Sequence, residues 1–128
     1  NAGQACGAQT RILLPRSRYG EWVDALAGFV GTMATGDPMD PSTMVGPLVA
    51  ERQRTRVEGY IAAGKQEGAK LVVGGGRPAG LPRGWYVEPT LFADVDNDMK
   101  IAREEIFGPV LGAIPYEDQA DAIRVANA

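Results

Sequence analysis

The chain has 128 residues, 45% of them apolar and 23% charged, which is enough for one sizeable core and one domain. Its 13 basic and 16 acidic residues (net charge −3) are interspersed, so there is no basic stripe to neutralise a phosphate backbone, and no apolar run approaches the ~20 residues that cross a bilayer. Neither nucleic acid nor a membrane is therefore an expected partner, and the chain reads as soluble and cytoplasmic; without histidine, Ser-His-Asp or Cys-His machinery cannot be assembled from this chain alone, the usual His/Cys zinc site is excluded, and a single cysteine excludes an internal disulfide.

In chain order, Arg11-Ile-Leu-Leu-Pro15 is a short apolar run stopped by proline, which predicts a buried strand. From about Tyr19 to Met33, the spacing of Trp22, Leu26, Phe29, Val30 and Met33 predicts a helix with those residues on its covered face. The proline- and glycine-rich segment from Gly36 to Pro47 should be an ordered loop. Ala50 to Gly68 reads as a surface helix with Val57, Tyr60 and Ile61 on its inner side, ending at Glu67-Gly68. Extended stretches are expected at Lys70–Val73, Trp85–Val95 and Pro109–Tyr116, a helical turn near Asp98–Glu104, and a terminal helix after Glu117. Strands alternating with helices predict an α/β layered domain, a mainly parallel sheet flanked by helices. Asn1 in place of an initiator methionine, and an amphipathic stretch still running at Asp121–Ala128, suggest cuts in a longer protein.

Three segments invite a chemical reading. Gly74-Gly-Gly-Arg-Pro-Ala79 formally satisfies G-x-G-x-x-A after a strand, with Asp94 about 20 residues on, but Pro78, Gly80, Pro82 and Gly84 prolong a loop where a dinucleotide fingerprint must open a helix. It reads as a connecting turn. Cys6, flanked by small residues in Asn1-Ala-Gly-Gln-Ala-Cys6-Gly, is either a small buried hydrophobe or a thiolate nucleophile whose own amide could serve an oxyanion. Glu104-Glu-Ile-Phe-Gly-Pro-Val110 is either a helix end with Phe107 in the core or a carboxylate for two ribose hydroxyls beside an aromatic support for a planar ring. Composition alone leaves both pairs open.

Together these segments resemble the aldehyde dehydrogenase superfamily. Asn1-Ala-Gly-Gln-Ala-Cys6 resembles its cysteine motif, with Arg11 where an arginine is common, and Glu104–Val110 resembles its second signature. Between them Gly36-Asp-Pro, Gly46-Pro-Leu48, Gly59-Tyr-Ile61, Gly68-Ala-Lys-Leu71, Gly74-Gly-Gly76 and Glu88-Pro-Thr-Leu91 follow the family's order, so the resemblance covers practically the whole chain.

The resemblance implies that residues 1–128 are a partial catalytic domain from the cysteine motif onward, without the cofactor-binding domain or the C-terminal end. It assigns Cys6 as nucleophile, Glu105 as the carboxylate on the nicotinamide ribose and Phe107 as the ring packing by the nicotinamide. Gln53 and Arg56 match positions that carry glutamine and lysine near the same ribose, though arginine changes the donor geometry. The implied cofactor is NAD or NADP, the substrate a small aldehyde, and no metal is expected. The full-length protein is expected to be a homo-oligomer that oxidises the aldehyde to a carboxylic acid through a cysteine thiohemiacetal and thioester. The general base and the remaining oxyanion donor are expected outside this chain, so the isolated fragment is expected to be inactive. Alternatives are transfer of the acyl group to coenzyme A, a non-catalytic binding or assembly fragment, and a cofactor-free cysteine hydrolase; the last is disfavoured by the missing histidine.

Overall fold

A computed structural model describes all residues, 1–128. Two turns lead into β1 (Arg11–Pro15); α1 (Tyr19–Gly31) follows, then a long loop, α2 (Glu51–Gln66), β2 (Lys70–Val73), β3 (Thr90–Ala93), the short α3 (Lys100–Arg103), β4 (Val110–Tyr116) and α4 (Gln119–Asn127). The strands form one sheet in the order β1-β4-β3-β2, with β1 and β3 parallel to β4 and β2 antiparallel to β3. The sheet is therefore mixed but mostly parallel, with helices on both faces.

Strand alternation sorts the core into two layers. Ile12, Leu14, Val72, Ala93 and Ala113 meet Val23 and Leu26 of α1 on one face. On the other, Leu13, Phe92, Val110 and Ile114 meet Val57, Tyr60 and Ile61 of α2, Ile101 of α3 and Val125 of α4. Tyr19, at the start of α1, pins that helix to the sheet. Its hydroxyl donates to the Ala113 carbonyl at 3.0 Å and accepts from the Asp94 N–H at 2.7 Å. Burial, the largest influence, raises the phenol above its ordinary pKa, so it stays protonated as that donor requires.

The inner side expected for α2 is correct, and the helix ends as Glu67-Gly68 suggests. Gly68 takes φ +96°, its N–H donates to the Lys65 carbonyl, and the Ala69 N–H donates to that of Gly64, the paired bonds of a Schellman ending. The glycine run Gly74–Gly76 opens no helix.

Several expectations need correction. The covered face of α1 is Val23, Leu26 and Val30; Trp22 and Phe29 lie on its open side, 43% and 56% exposed. Trp22 and Val23 share the same seven-residue spacing to Phe29 and Val30, so only the sheet beneath decides which pair is covered. β1 lies at a sheet edge and buries only Leu14. Of the Trp85–Val95 stretch, only Thr90–Ala93 pairs as a strand.

Arg11 does more than occupy a familiar position. Its guanidinium donates to Asn97 Oδ1 at 2.8 Å and to the Val125 and Ala126 carbonyls at 3.4 Å, so a cation sits on the open carbonyls at the end of α4. Arg11→Ala should destabilise the protein by about 1–3 kcal/mol, with faster hydrogen exchange concentrated in 119–127. Uniform exchange across the chain would contradict this anchoring.

Candidate functional site

The cysteine lies in the second of two tight turns. In the first, the Gln4 N–H donates to the Asn1 carbonyl, and the central residues Ala2 and Gly3 have φ of +54° and +71°, the left-handed pair of a type I′ turn. Alanine there is strained, and such strain persists only where surrounding packing enforces it. Ala2 is accordingly buried in the main core cluster. In the second turn the Ala8 N–H donates to the Ala5 carbonyl at 2.9 Å, with Cys6 and Gly7 at the corners. Cys6 is a free thiol on an exposed residue, and its N–H donates to no group in the chain. Within these 128 residues Cys6 is not packed as a small buried hydrophobe.

The acidic segment leaves α3 without regular structure until β4 begins. Phe107, half-buried, has φ +60°, one of three non-glycine residues in the left-handed region with Ala2 and Asp94. Gly108 follows, buried, with Val57 of α2 so close that a Cβ on Gly108 would overlap its methyls. A Cβ on Gly3 would overlap the Gly108 carbonyl. The cysteine turns and the acidic segment, at opposite ends of the sequence, therefore meet backbone to backbone, and both glycines are required by close approach.

Helix α2 holds the acidic segment by its carbonyls. Gln53 Nε2 donates to Phe107 O at 2.7 Å and to Ile106 O at 3.4 Å, and Arg56 donates to Glu105 O at 2.7 Å. Gln53 and Phe107 line a cavity of about 680 Å³ together with Asn1 and Gln4 from the cysteine segment and Met44 and Val49 from the loop before α2. Gln4 braces that loop by accepting from the Val49 N–H at 2.9 Å. Glu105 is exposed, and its carboxylate forms no ion pair.

The five residues singled out from sequence thus fall into two sets. Gln53, Arg56, Glu105 and Phe107 form one unit in which the α2 donors grip the backbone of the acidic segment. Cys6 stands apart on its turn, joined to that unit through the Gly3–Gly108 contact. Sequence reasoning missed Tyr60 and Glu104. Tyr60, 5% exposed, accepts from Arg56 at 2.9 Å and donates to Glu104 Oε2 at 2.7 Å. The available signal was Gln53, Arg56 and Tyr60 at spacings of three and four along one helix face. No cluster of three or more histidine, cysteine or carboxylate residues that could hold a metal ion is present, and no helix is long and apolar enough to cross a membrane.

The arrangement offers an accessible thiol with an unengaged amide, and a free carboxylate and an aromatic ring on a backbone held by donors from α2. Comparison with known proteins gives a consistent result. The aldehyde dehydrogenase family model matches residues 1–128. Geranial dehydrogenase of Castellaniella defragrans is 54% identical over 127 residues, which are 99% of this chain and 26% of that protein. Betaine aldehyde dehydrogenase of Rhizobium etli is 45% identical over 129 residues, 100% of this chain and 26% of that protein. The crystal structure of Mycobacterium tuberculosis aldehyde dehydrogenase complexed with NAD+ superposes with a TM-score of 0.97 at 62% identity, covering 98% of this chain and 26% of that one. A mutant aldehyde dehydrogenase C from Pseudomonas syringae, complexed with NAD+ and octanal, gives 0.95 at 47% identity with 98% and 26% coverage.

Proposed function

Because the chain belongs to the aldehyde dehydrogenase family and spans 26% of the length of relatives such as geranial dehydrogenase, we propose that it is the part of the catalytic domain, from the cysteine motif onward, of an enzyme oxidising an aldehyde to a carboxylic acid with NAD(P)+. The observation that carries this reading is the Gly3–Gly108 contact, which sets the thiol-bearing turn against the segment holding Glu105 and Phe107. NAD+ in related structures favours that cofactor over NADP+.

The residues present fit a nicotinamide nucleoside. The unpaired Glu105 carboxylate can accept hydrogen bonds from two ribose hydroxyls, and Phe107 offers a ring face at the cavity it shares with Gln53. The Gln53 and Arg56 donors are bonded to carbonyls of the acidic segment, which suits them to support the ribose site through that backbone. When bound, the dinucleotide supplies a two-electron acceptor for hydride.

To the remaining chemistry this chain brings the nucleophile and one oxyanion donor. The Cys6 thiolate adds to the aldehyde carbon, forming the C–S bond as the carbonyl π pair moves to oxygen. The free Cys6 N–H is a donor for that oxyanion. Loss of hydride from the same carbon restores the carbonyl as a thioester on Cys6. Water, giving up a proton to a base outside these residues, then adds; the C–S bond breaks, and the carboxylic acid leaves with return of the thiolate.

Two expected results follow from this reading. Glu105→Gln in the full-length enzyme should slow single-turnover formation of reduced cofactor by up to ~100-fold, because a small error in position is amplified in the rate, while aldehyde binding is little changed. A wild-type single-turnover rate would remove Glu105 from the ribose site. The isolated 128-residue chain should not turn over short aliphatic or aromatic aldehydes with either cofactor, since members of a catalytic constellation do not contribute proportionate shares of the rate. Turnover abolished by Cys6→Ala would show the chain to be self-sufficient.

A further inference from the structure

The aim of Glu105 depends on a backbone with no helix or strand of its own to stiffen it. Arg56 grips that backbone at the Glu105 carbonyl, but Arg56 is itself a long exposed side chain with many rotamers. Tyr60 holds it. One helical turn further along α2, the buried Tyr60 hydroxyl accepts from Arg56 at 2.9 Å while the guanidinium lies 4.9 Å from the ring centroid. The same hydroxyl donates to the Glu104 carboxylate at 2.7 Å, and the Lys100 ammonium lies 5.3 Å from the ring. Burial, and secondarily the bond to Glu104, raises the phenol above its ordinary pKa, keeping the proton that this bond uses.

These contacts close a cycle. Glu104 runs through Tyr60 and Arg56 to Glu105, so the residues on either side of one peptide bond are tied to two positions on one helix face. The following peptide, Glu105–Ile106, cannot rotate without breaking the charge-assisted hydrogen bond from Arg56 to its carbonyl. Resting on the reading of Glu105 as the ribose partner, we propose that Tyr60 and Glu104 are positioning residues which, through Arg56, set the aim of Glu105 at the nicotinamide nucleoside.

The test compares Tyr60→Phe, which keeps the ring and removes the hydroxyl, with Glu104→Ala, an exposed change that cuts the same cycle should Tyr60→Phe fail to fold. Both are made in the full-length enzyme. Three quantities are read: hydrogen exchange of residues 104–109 without cofactor, the single-turnover rate of reduced-cofactor formation, and the thermal midpoint. Exchange should rise about 10-fold or more, and the single-turnover rate should fall roughly 10- to 100-fold with aldehyde KM unchanged. Glu104→Gln, which still accepts from Tyr60, should retain most of the rate. On a Glu105→Gln background Tyr60→Phe should add little further slowing, because both changes act through one group.

Wild-type exchange and rates in Tyr60→Phe and Glu104→Ala, with Glu105→Gln slow, would overturn this inference alone. Independent, multiplicative slowing on the Glu105→Gln background would also overturn it. A wild-type single-turnover rate in Glu105→Gln would overturn the ribose reading, and this inference with it.

Discussion

Cys6→Ala in the full-length enzyme should reduce aldehyde oxidation by at least about 10⁴-fold, the scale on which loss of a nucleophile that works as part of a unit is felt. The expectation is local in origin. Cys6 stands at the corner of an exposed turn between two small residues, so a carbonyl can reach the sulfur without displacing a side chain, and its own N–H is uncommitted. The substitution removes the sulfur and leaves the turn, so folding and cofactor binding should persist while the rate collapses. Covalent trapping supplies the complementary measurement. Brief exposure of the wild-type enzyme to a poor aldehyde and cofactor, followed by mass spectrometry, should place an acyl group on the peptide containing Cys6. Acylation of a different residue, or a Cys6→Ala enzyme within tenfold of wild type, would dismiss Cys6 as nucleophile.

Gly108→Ala should be the most damaging one-carbon change at a distance from the thiol. The added methyl overlaps Val57, which is fully buried on α2 and, being β-branched, has little rotamer freedom to yield. Overpacking of this kind costs about 1–3 kcal/mol, and relief by backbone movement displaces the segment that aims Glu105. Thermal midpoint and single-turnover rate should therefore fall together. Val57→Ala introduced alongside should recover part of both, because it removes the atoms that collide. Gly3→Ala should not be rescued in this way, since its overlap is with the Gly108 carbonyl and its φ of +71° disfavours any side chain. Equal rescue of both variants by Val57→Ala would mean that the collision lies elsewhere.

Much of this organisation was legible in the residues. Glu67-Gly68 announced the end of α2, because a left-handed residue after a helix favours glycine, and Val57, Tyr60 and Ile61 marked its inner side by spacing alone. The face of α1 was not legible in the same way. Its two largest apolar residues, Trp22 and Phe29, suggested a covered stripe, but the sheet takes the adjacent one through Val23 and Val30. Periodicity locates a helix and leaves its rotation to the partner surface.

The site divides along similar lines. Cys6, Glu105 and Phe107 stood out through their motifs, whereas the left-handed backbone at Ala2 and Phe107 could not be read from an alanine or a phenylalanine. Tyr60 was visible as a core residue but not as a link in a polar cycle, because spacing places the ring and says nothing of where the hydroxyl finds its partners. Gln53 and Arg56 were singled out for a ligand, and in the structure their donors meet the chain's own carbonyls.

The pairing of β1 with β4 joins Arg11 to Gly112, so within this segment the first strand waits for the fourth. During synthesis at about 5–20 residues per second, roughly 5–20 s pass between the appearance of Ile12–Leu14 and the arrival of the strand that covers one of its edges. Through that interval β1, immediately after the cysteine turns, lacks its β4 partner, and an open strand edge is the kind that recruits other chains. The Gly3–Gly108 contact can form only when this wait ends. The setting of Cys6 is thus tied to a long-range closure of the segment, and a ribosome paused before Val110 would hold β1 without its β4 partner as a target for chaperones.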